Sequence, residues 1–350
     1  MTIIKKRIIK IFIFLLILLT LFLYTNKMFE TQWHNVNNGF QKTEEYLGLP
    51  DDTADVLFLG SSGLYAGISP ARLWDNTSIT SYNLSVSTHN FFSRYFELKQ
   101  ILEERDISLL ITDLSYIFNP TNPYSEKTEI NYKYGFSSMK KLGNKNEYIN
   151  TLETEYPDIN IFEYWMPLSK HHVNWDKFQE DKFLLDNDNI ILGSLHSVYI
   201  DPISYKINNS ILEINEIELK YFNKLLDLAK EKNVEVLGII PSRSITEVNE
   251  NDFLKELLNQ KNIKFLDFTT ENLKDEVQVN PQTDFYDVGH VNILGNRKLT
   301  DFLGEYILEN YHNVRVWKES DEDYEKTKIW RDASFDYERQ YKKMEDKSKK

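Results

Sequence analysis

Along the chain, short unbroken apolar runs alternate with segments in which apolar residues recur every third or fourth position. The runs are "ADVLFLGSS", "SYNLSVS" (81–87), "SLLITDLS" (108–115), "VEVLGIIPS" (234–242) and "IKFLDF" (263–268), the form of strands buried on both faces. Between them, "NFFSRYFELKQILEE" aligns Phe91, Tyr95, Leu98 and Leu102 on one helical face. "EIELKYFNKLLDLAKEKN" does the same with Leu219, Phe222, Leu226 and Ala229, and Asn233 is its expected stop. "DFLKELLNQKN" and "NILGNRKLTDFLGEYILENY" complete the set. The alternation predicts an α/β domain over 53–311 with a central parallel sheet covered on both faces. Ligands of such sheets sit at the carboxyl ends of the strands, where Gly60-Ser61-Ser62 falls. Residues 116–214, rich in Asn, Tyr, Pro and charge, interrupt the pattern and read as an insertion. Residues 25–52 read as a polar stalk. In the charged tail, 312–350, Trp317, Ile329, Trp330 and Phe335 suggest partial docking, with the last dozen residues solvated.

The first 24 residues differ in kind. Lys5, Lys6, Arg7 and Lys10 lead into "IFIFLLILLTLFLY", and the 17 residues from Ile8 make roughly 26 Å of helix, near the lower limit for crossing a bilayer. No small-residue cleavage site follows, so an uncleaved anchor is expected rather than a cleaved signal or a buried helix. The cations hold that end in the cytoplasm, which predicts a single-pass membrane protein with its domain outside. The absence of cysteine agrees with an exported domain that rests on its core, although reduced cytoplasmic proteins also lack it. Net charge is −13, and −17 without the four anchor cations, which counts against nucleic-acid binding and against extended gripping of a polyanionic wall polymer.

Candidate chemistry concentrates in "DFYDVGHVNILG". A serine hydroxyl becomes a useful nucleophile when an imidazole takes its proton and a carboxylate orients that imidazole. Asp287 and His290 are three apart, so a loop or first helical turn puts the acid against one ring nitrogen and leaves the other to face a serine, for which Ser62 is the candidate.

"VLFLGSS" and "FYDVGHVNILG", in that order and at opposite ends of the α/β region, resemble the first and last blocks of the SGNH/GDSL hydrolase superfamily. With the N-terminal anchor and the long insertion, the chain is similar to the DltD-like and alginate-acetylation-like members that partner membrane-bound O-acyltransferases. The resemblance implies a flavodoxin-like three-layer α/β/α fold and a triad of Ser62, His290 and Asp287. It implies an oxyanion hole from the N–H groups of Ser62 and Ser85. Because "TDLSYIFN" replaces the usual Gly-x-Asn-Asp, Asn83 is a candidate for the missing side-chain donor, a structural asparagine at the strand end being the plainer reading. The resemblance also aligns Pro167, His172 and Trp175 with a Pro…His-x-x-Trp segment of the partner proteins. His172 and Trp175 then become substrate-binding candidates, beside the alternative that they pack the insertion onto the sheet. Arg243, in "PSRS", is a candidate for an anionic substrate group, a surface salt bridge being the plainer reading.

No cofactor is expected, since "FLGSSGLYAG" lacks the lysine and glycine spacing of a phosphate loop. No metal is expected either, because the adjacent His171 and His172 diverge and no ligand cluster accompanies them. The resulting expectation is an extracytoplasmic serine O-acyltransferase or esterase that moves an acetyl or D-alanyl group onto a cell-envelope glycan or teichoic acid. Two alternatives stand beside it: a non-catalytic scaffold of an envelope-modification complex, and a polysaccharide-binding module with Tyr132, Tyr134, Trp165 and Trp175 as its aromatic platform.

Overall fold

The computed structural model describes residues 3–30, 39–118, 126–171, 190–210, 213–318 and 321–348. Helix α1, Ile3–Glu30, contains a stretch from Ile4 to Asn26 that is long and apolar enough to cross a membrane, and none of its most apolar window is buried against the rest of the chain. Its 23 residues make about 34 Å of helix, longer than the run counted from the sequence and sufficient for a hydrocarbon core. Thr20 and Thr25 return their hydroxyls to the carbonyls of Leu16 and Leu21, so neither needs water.

After α2, Gly39–Leu47, come β1 (Val56–Phe58), α3 (Ser62–Gly67), α4 (Pro70–Thr77), β2 (Ser81–Asn83), α5 (Phe91–Ile101) and β3 (Leu109–Asp113). The insertion supplies α6 (Glu126–Ser138), α7 (Leu142–Glu155), α8 (Phe162–Trp165) and α9 (Pro167–His171). It ends with the short strands β4 (Ile190–Ile191), β5 (Ser194–Leu195) and β6 (Lys206–Asn208). Then follow α10 (Glu216–Glu231), β7 (Glu235–Ile240), β8 (Ile245–Glu247), α11 (Val248–Gln260), β9 (Lys264–Asp267), α12 (Glu271–Val277), β10 (Phe285–Asp287), β11 (His290–Val291) and α13 (Ile293–Asn310). Helices α14 (Asp321–Lys326) and α15 (Lys328–Ser348) close the described chain.

Five strands form one parallel sheet in the order β2-β1-β3-β7-β9, with Leu57 beside both Tyr82 and Leu110. Alternation along β1 sends Val56 and Phe58 to an apolar cluster with Leu64, Leu73, Leu303 and Ile307. Leu57 and Leu59 enter another with Phe92, Leu98, Phe222 and Leu225. Both faces of the strands are therefore buried, which is why they read as continuous apolar runs. Helix starts follow their caps: Asn90 accepts from Ser93 N–H, and Asn215 from Ile217 and Glu218 N–H. Asn233, at φ 58°, ends α10 in the left-handed conformation, as its position suggests.

Three segments depart from the sequence reading. The expected stalk contains α2, which packs on α6 and buries Tyr46 and Lys42. The insertion joins the main core: Tyr132, Phe136 and Tyr148 cluster with Phe92 of α5, and the β4–β5 turn docks on β2, where Leu192 O accepts from Asn83 N–H. That turn needs Gly193 (φ 79°), because a Cβ there would overlap the Asn83 carbonyl. The tail covers the β2 edge of the sheet. Trp317 Nε1 donates to Thr80 Oγ1 at 2.9 Å and Trp330 Nε1 to Ser81 O at 2.8 Å. Ile329 and Phe335 face outward instead, and Met344, within the supposedly solvated end, is buried. The tail's charge hides a helix with one apolar stripe, which a composition argument misses.

Candidate active site

Strand β1 ends at the loop Leu59-Gly60-Ser61, and Ser62 opens α3. Gly60 is required by crowding: a side chain there would collide with the Asp113 carboxylate and lie 2.7 Å from Leu64 Cδ2. Asp113, the last residue of β3, accepts a hydrogen bond from Ser61 N–H and so fixes the loop that presents Ser62. Ser62 Oγ lies 2.7 Å from His290 Nε2, although the two are 228 positions apart. His290 Nδ1 lies 2.8 and 2.9 Å from the two carboxylate oxygens of Asp287.

Asp287 and His290 stand opposite each other in the antiparallel pair β10–β11, so the hairpin turns both side chains to one face. The three-residue spacing alone suggests a loop or first helical turn; the chain forms a hairpin instead. Asn292 secures the hairpin. Its side-chain oxygen caps α13 by accepting from Leu294 and Gly295 N–H, and its amide donates to the carbonyls of Tyr199, Thr283 and Phe285. Gly295 passes close beneath, where a Cβ would lie 2.6 Å from Asp284 O. The Tyr286 ring stacks on His290 at 5.4 Å. Partial burial opposes ionisation of Asp287, but hydrogen bonds from His290 and Gly289 N–H, with the charge of His290, outweigh it and hold the carboxyl below its ordinary 3.8. An ionised Asp287 fixes the proton on Nδ1, which leaves Nε2 free to accept from Ser62 Oγ–H.

Of the residues considered for an oxyanion hole, Asn83 takes its structural alternative and the Ser85 N–H is engaged. Ser85 N–H donates to Asn83 Oδ1 at 3.1 Å, and the Asn83 amide donates to the carbonyls of Leu64 and Ile68 at 3.2 and 3.3 Å. Asn83 thereby ties the end of α3 to β2, and in this arrangement neither its amide nor the Ser85 N–H is left for an oxyanion. A buried asparagine at a strand end is held by whatever backbone lies nearest, which spacing alone does not disclose. The N–H groups of Ser62 and Gly63 belong to the first turn of α3, where a helix supplies no backbone acceptor.

Sequence reasoning missed the polar cluster behind this loop. Arg94, with no accessible side-chain surface, reaches Asp113 Oδ2 at 3.4 Å and donates to Thr112 Oγ1 at 3.1 Å and to the Asp113 carbonyl. Its signal was a charge three residues after Phe91, on the apolar stripe of α5. Lys42 donates to Ser85 O, and burial lowers its pKa to about 7. Glu97, held at 2.8 Å by Thr43 Oγ1, is raised by burial to about 7.

Arg243 follows β7, one residue before Ser244, whose N–H donates to Val288 O beside the triad. Its guanidinium is committed to the buried Glu250 at 3.0 Å, in line with the salt-bridge alternative. His172 and Trp175 lie outside the described residues. Tyr132 and Tyr134 are buried and so present no platform to a sugar. An open groove lined by Lys230, Glu235, Lys264 and Tyr311 sits at the amino ends of β7 and β9, at the other end of the sheet from the triad. Among the described residues no cluster of His, Asp and Glu is arranged to hold a metal ion. No protein-family profile and no curated protein matches the chain.

Proposed function

We propose that the chain is a membrane-anchored serine acyltransferase or esterase of the SGNH type. The observation that carries the reading is the 2.7 Å contact between Ser62 Oγ and His290 Nε2, with Asp287 on the far ring nitrogen. The strand order, the apolar clusters on both faces of the sheet and the serine after β1 support the three-layer SGNH arrangement that the sequence resembles.

In the proposed reaction, Ser62 Oγ attacks the carbonyl carbon of an acyl ester or thioester as its proton passes to His290 Nε2. Asp287 stabilises the imidazolium, and main-chain N–H groups at the start of α3 receive the developing oxyanion. Collapse breaks the bond to the leaving group, which takes the proton from His290 and leaves an acyl-serine. A hydroxyl of the acceptor, or water, then gives its proton to His290, attacks the acyl carbon and returns Ser62. Transfer and hydrolysis share this intermediate and differ in whether the acceptor site excludes water. Resemblance suggests an acetyl or D-alanyl group, a cell-envelope glycan or teichoic acid as acceptor, and a membrane-bound O-acyltransferase as donor-side partner. Helix α1 supports an anchored location, with its basic end in the cytoplasm and the domain outside.

One observation favours the non-catalytic scaffold reading: Asn83 and Ser85 are engaged in internal bonds rather than lining an oxyanion hole. Labelling with a fluorophosphonate separates the two. Wild type should label, while Ser62→Ala and His290→Ala should not. Equal labelling of wild type and Ser62→Ala, or none of wild type, would remove the catalytic reading.

A further inference from the structure

The outer end of α1 is tied to the insertion. Asn26, the last residue of the apolar span, donates from Nδ2 to Trp165 O at 3.0 Å and accepts from Leu168 N–H at 3.3 Å through Oδ1. These bonds set the α8–α9 junction level with the point at which the span ends, and α9 packs along α1 there. Trp165 is half-buried, its ring edge-on to Phe136 at 5.0 Å, so the junction is also fixed to α6. Phe162, one helical turn before Trp165, is 57% exposed. An exposed phenylalanine beside a half-buried tryptophan, at the height where a membrane helix emerges, has the composition and position of an interfacial aromatic belt.

We propose that α8 and the start of α9 form a lipid-facing surface, with Phe162 and Trp165 entering the headgroup boundary of the leaflet from which α1 emerges. The α/β domain is thereby held in one orientation over the bilayer instead of swinging on a stalk. The path from this surface to the nucleophile loop is short. Phe136 and Asn131 lie five residues apart on α6, about 7.5 Å of helix rise. Asn131 accepts from Thr88, and two residues earlier Val86 N–H donates to Gly60 O. A membrane-seated insertion therefore orients the loops around Ser62 with respect to the lipid. The proposal rests on α1 crossing a bilayer and not on Ser62 chemistry.

The chain contains no cysteine, so single-cysteine variants can carry a spin label without background. Leu15→Cys, Phe162→Cys and Tyr199→Cys would be labelled in the full chain and reconstituted into vesicles of phosphatidylcholine and phosphatidylglycerol. Collision rates with oxygen and with a water-soluble nickel complex then report depth. The label at 15 should be deep, that at 199 aqueous, and that at 162 severalfold less accessible to nickel than the label at 199. Adding Asn26→Ala, which removes both bonds, should raise nickel access at 162. A deep label at 15 with position 162 as aqueous as 199 would overturn the lipid-facing surface while leaving the span intact, and would turn the patch over to a protein occupant. An aqueous label at 15 would remove the span and the proposal with it. Neither result bears on fluorophosphonate labelling at Ser62.

Discussion

Replacing Asp287 with asparagine keeps the size and most of the shape of the side chain and removes only its charge. Gly289 N–H, 2.7 Å from Oδ1, selects the orientation that keeps the amide oxygen in place. The new NH2 group then occupies the Oδ2 position, 2.9 Å from His290 Nδ1, where two donors face each other, while the retained oxygen, 2.8 Å from Nδ1, still accepts. The neutral amide therefore holds the Nδ1–H tautomer less firmly than the carboxylate, and in the other tautomer Nε2 can no longer accept from Ser62. The charge lost is also the one that stabilises the imidazolium. Unit charges about 4 Å apart interact by roughly 4 kcal/mol at an effective dielectric constant of about 20. Because the Asp287 side chain is 42% exposed, solvent screening brings this to about 2–3 kcal/mol. At about 1.4 kcal/mol per decade, Asp287→Asn should slow fluorophosphonate labelling by about 30- to 150-fold. That is less than the roughly 10⁴-fold loss found where a triad aspartate is buried. Since the carboxyl titrates below 3.8, the deficit should hold from about pH 5 upward and shrink as pH falls through the wild-type value, where wild type also loses the charge. The assay is the second-order labelling rate across pH, beside His290→Ala. A variant that labels at the wild-type rate while His290→Ala is inert would refute the role given to the carboxylate.

Three further outcomes follow from buried groups. Asp113→Ala removes the partner of a fully buried Arg94 and the acceptor of Ser61 N–H, and should cost about 3–5 kcal/mol in denaturant unfolding while also slowing Ser62 labelling. Trp330→Ala in the docked tail should cost about 3–5 kcal/mol by the same measurement, whereas Phe335→Ala, on the exposed side of α15, should change stability little. Burial raises Glu218 from 4.5 to about 7 against the Phe91 N–H bond and the Arg94 charge, so the folded state holds a proton that the unfolded state releases. Its contribution to stability is complete below 4.5 and is lost as pH rises through about 7; the unfolding midpoint of Glu218→Gln should therefore fall less steeply over that window than that of wild type.

The strands, the helices with asparagine caps and the membrane-length apolar helix were legible because each is a local consequence of which side chains avoid water. A strand buried on both faces reads as an unbroken apolar run, and α10 announces itself by its stripe, the Asn215 cap and the Asn233 stop. The candidates Ser62, Asp287 and His290 were legible as types in a pattern. Their convergence was not, because no periodicity records a contact across 228 positions; it follows from β1 and the β10–β11 hairpin meeting over one sheet. Tertiary structure also decided the polar partnerships between distant parts of the chain. It gave Asn83 to the carbonyls of Leu64 and Ile68, Arg94 to Asp113 and Arg243 to Glu250, and it buried Met344 in the last dozen residues, whose charge suggested solvent. Apolar burial depends on a residue's own chemistry and position along its element, whereas a buried charge or amide takes its role from the donor or acceptor that folding brings beside it.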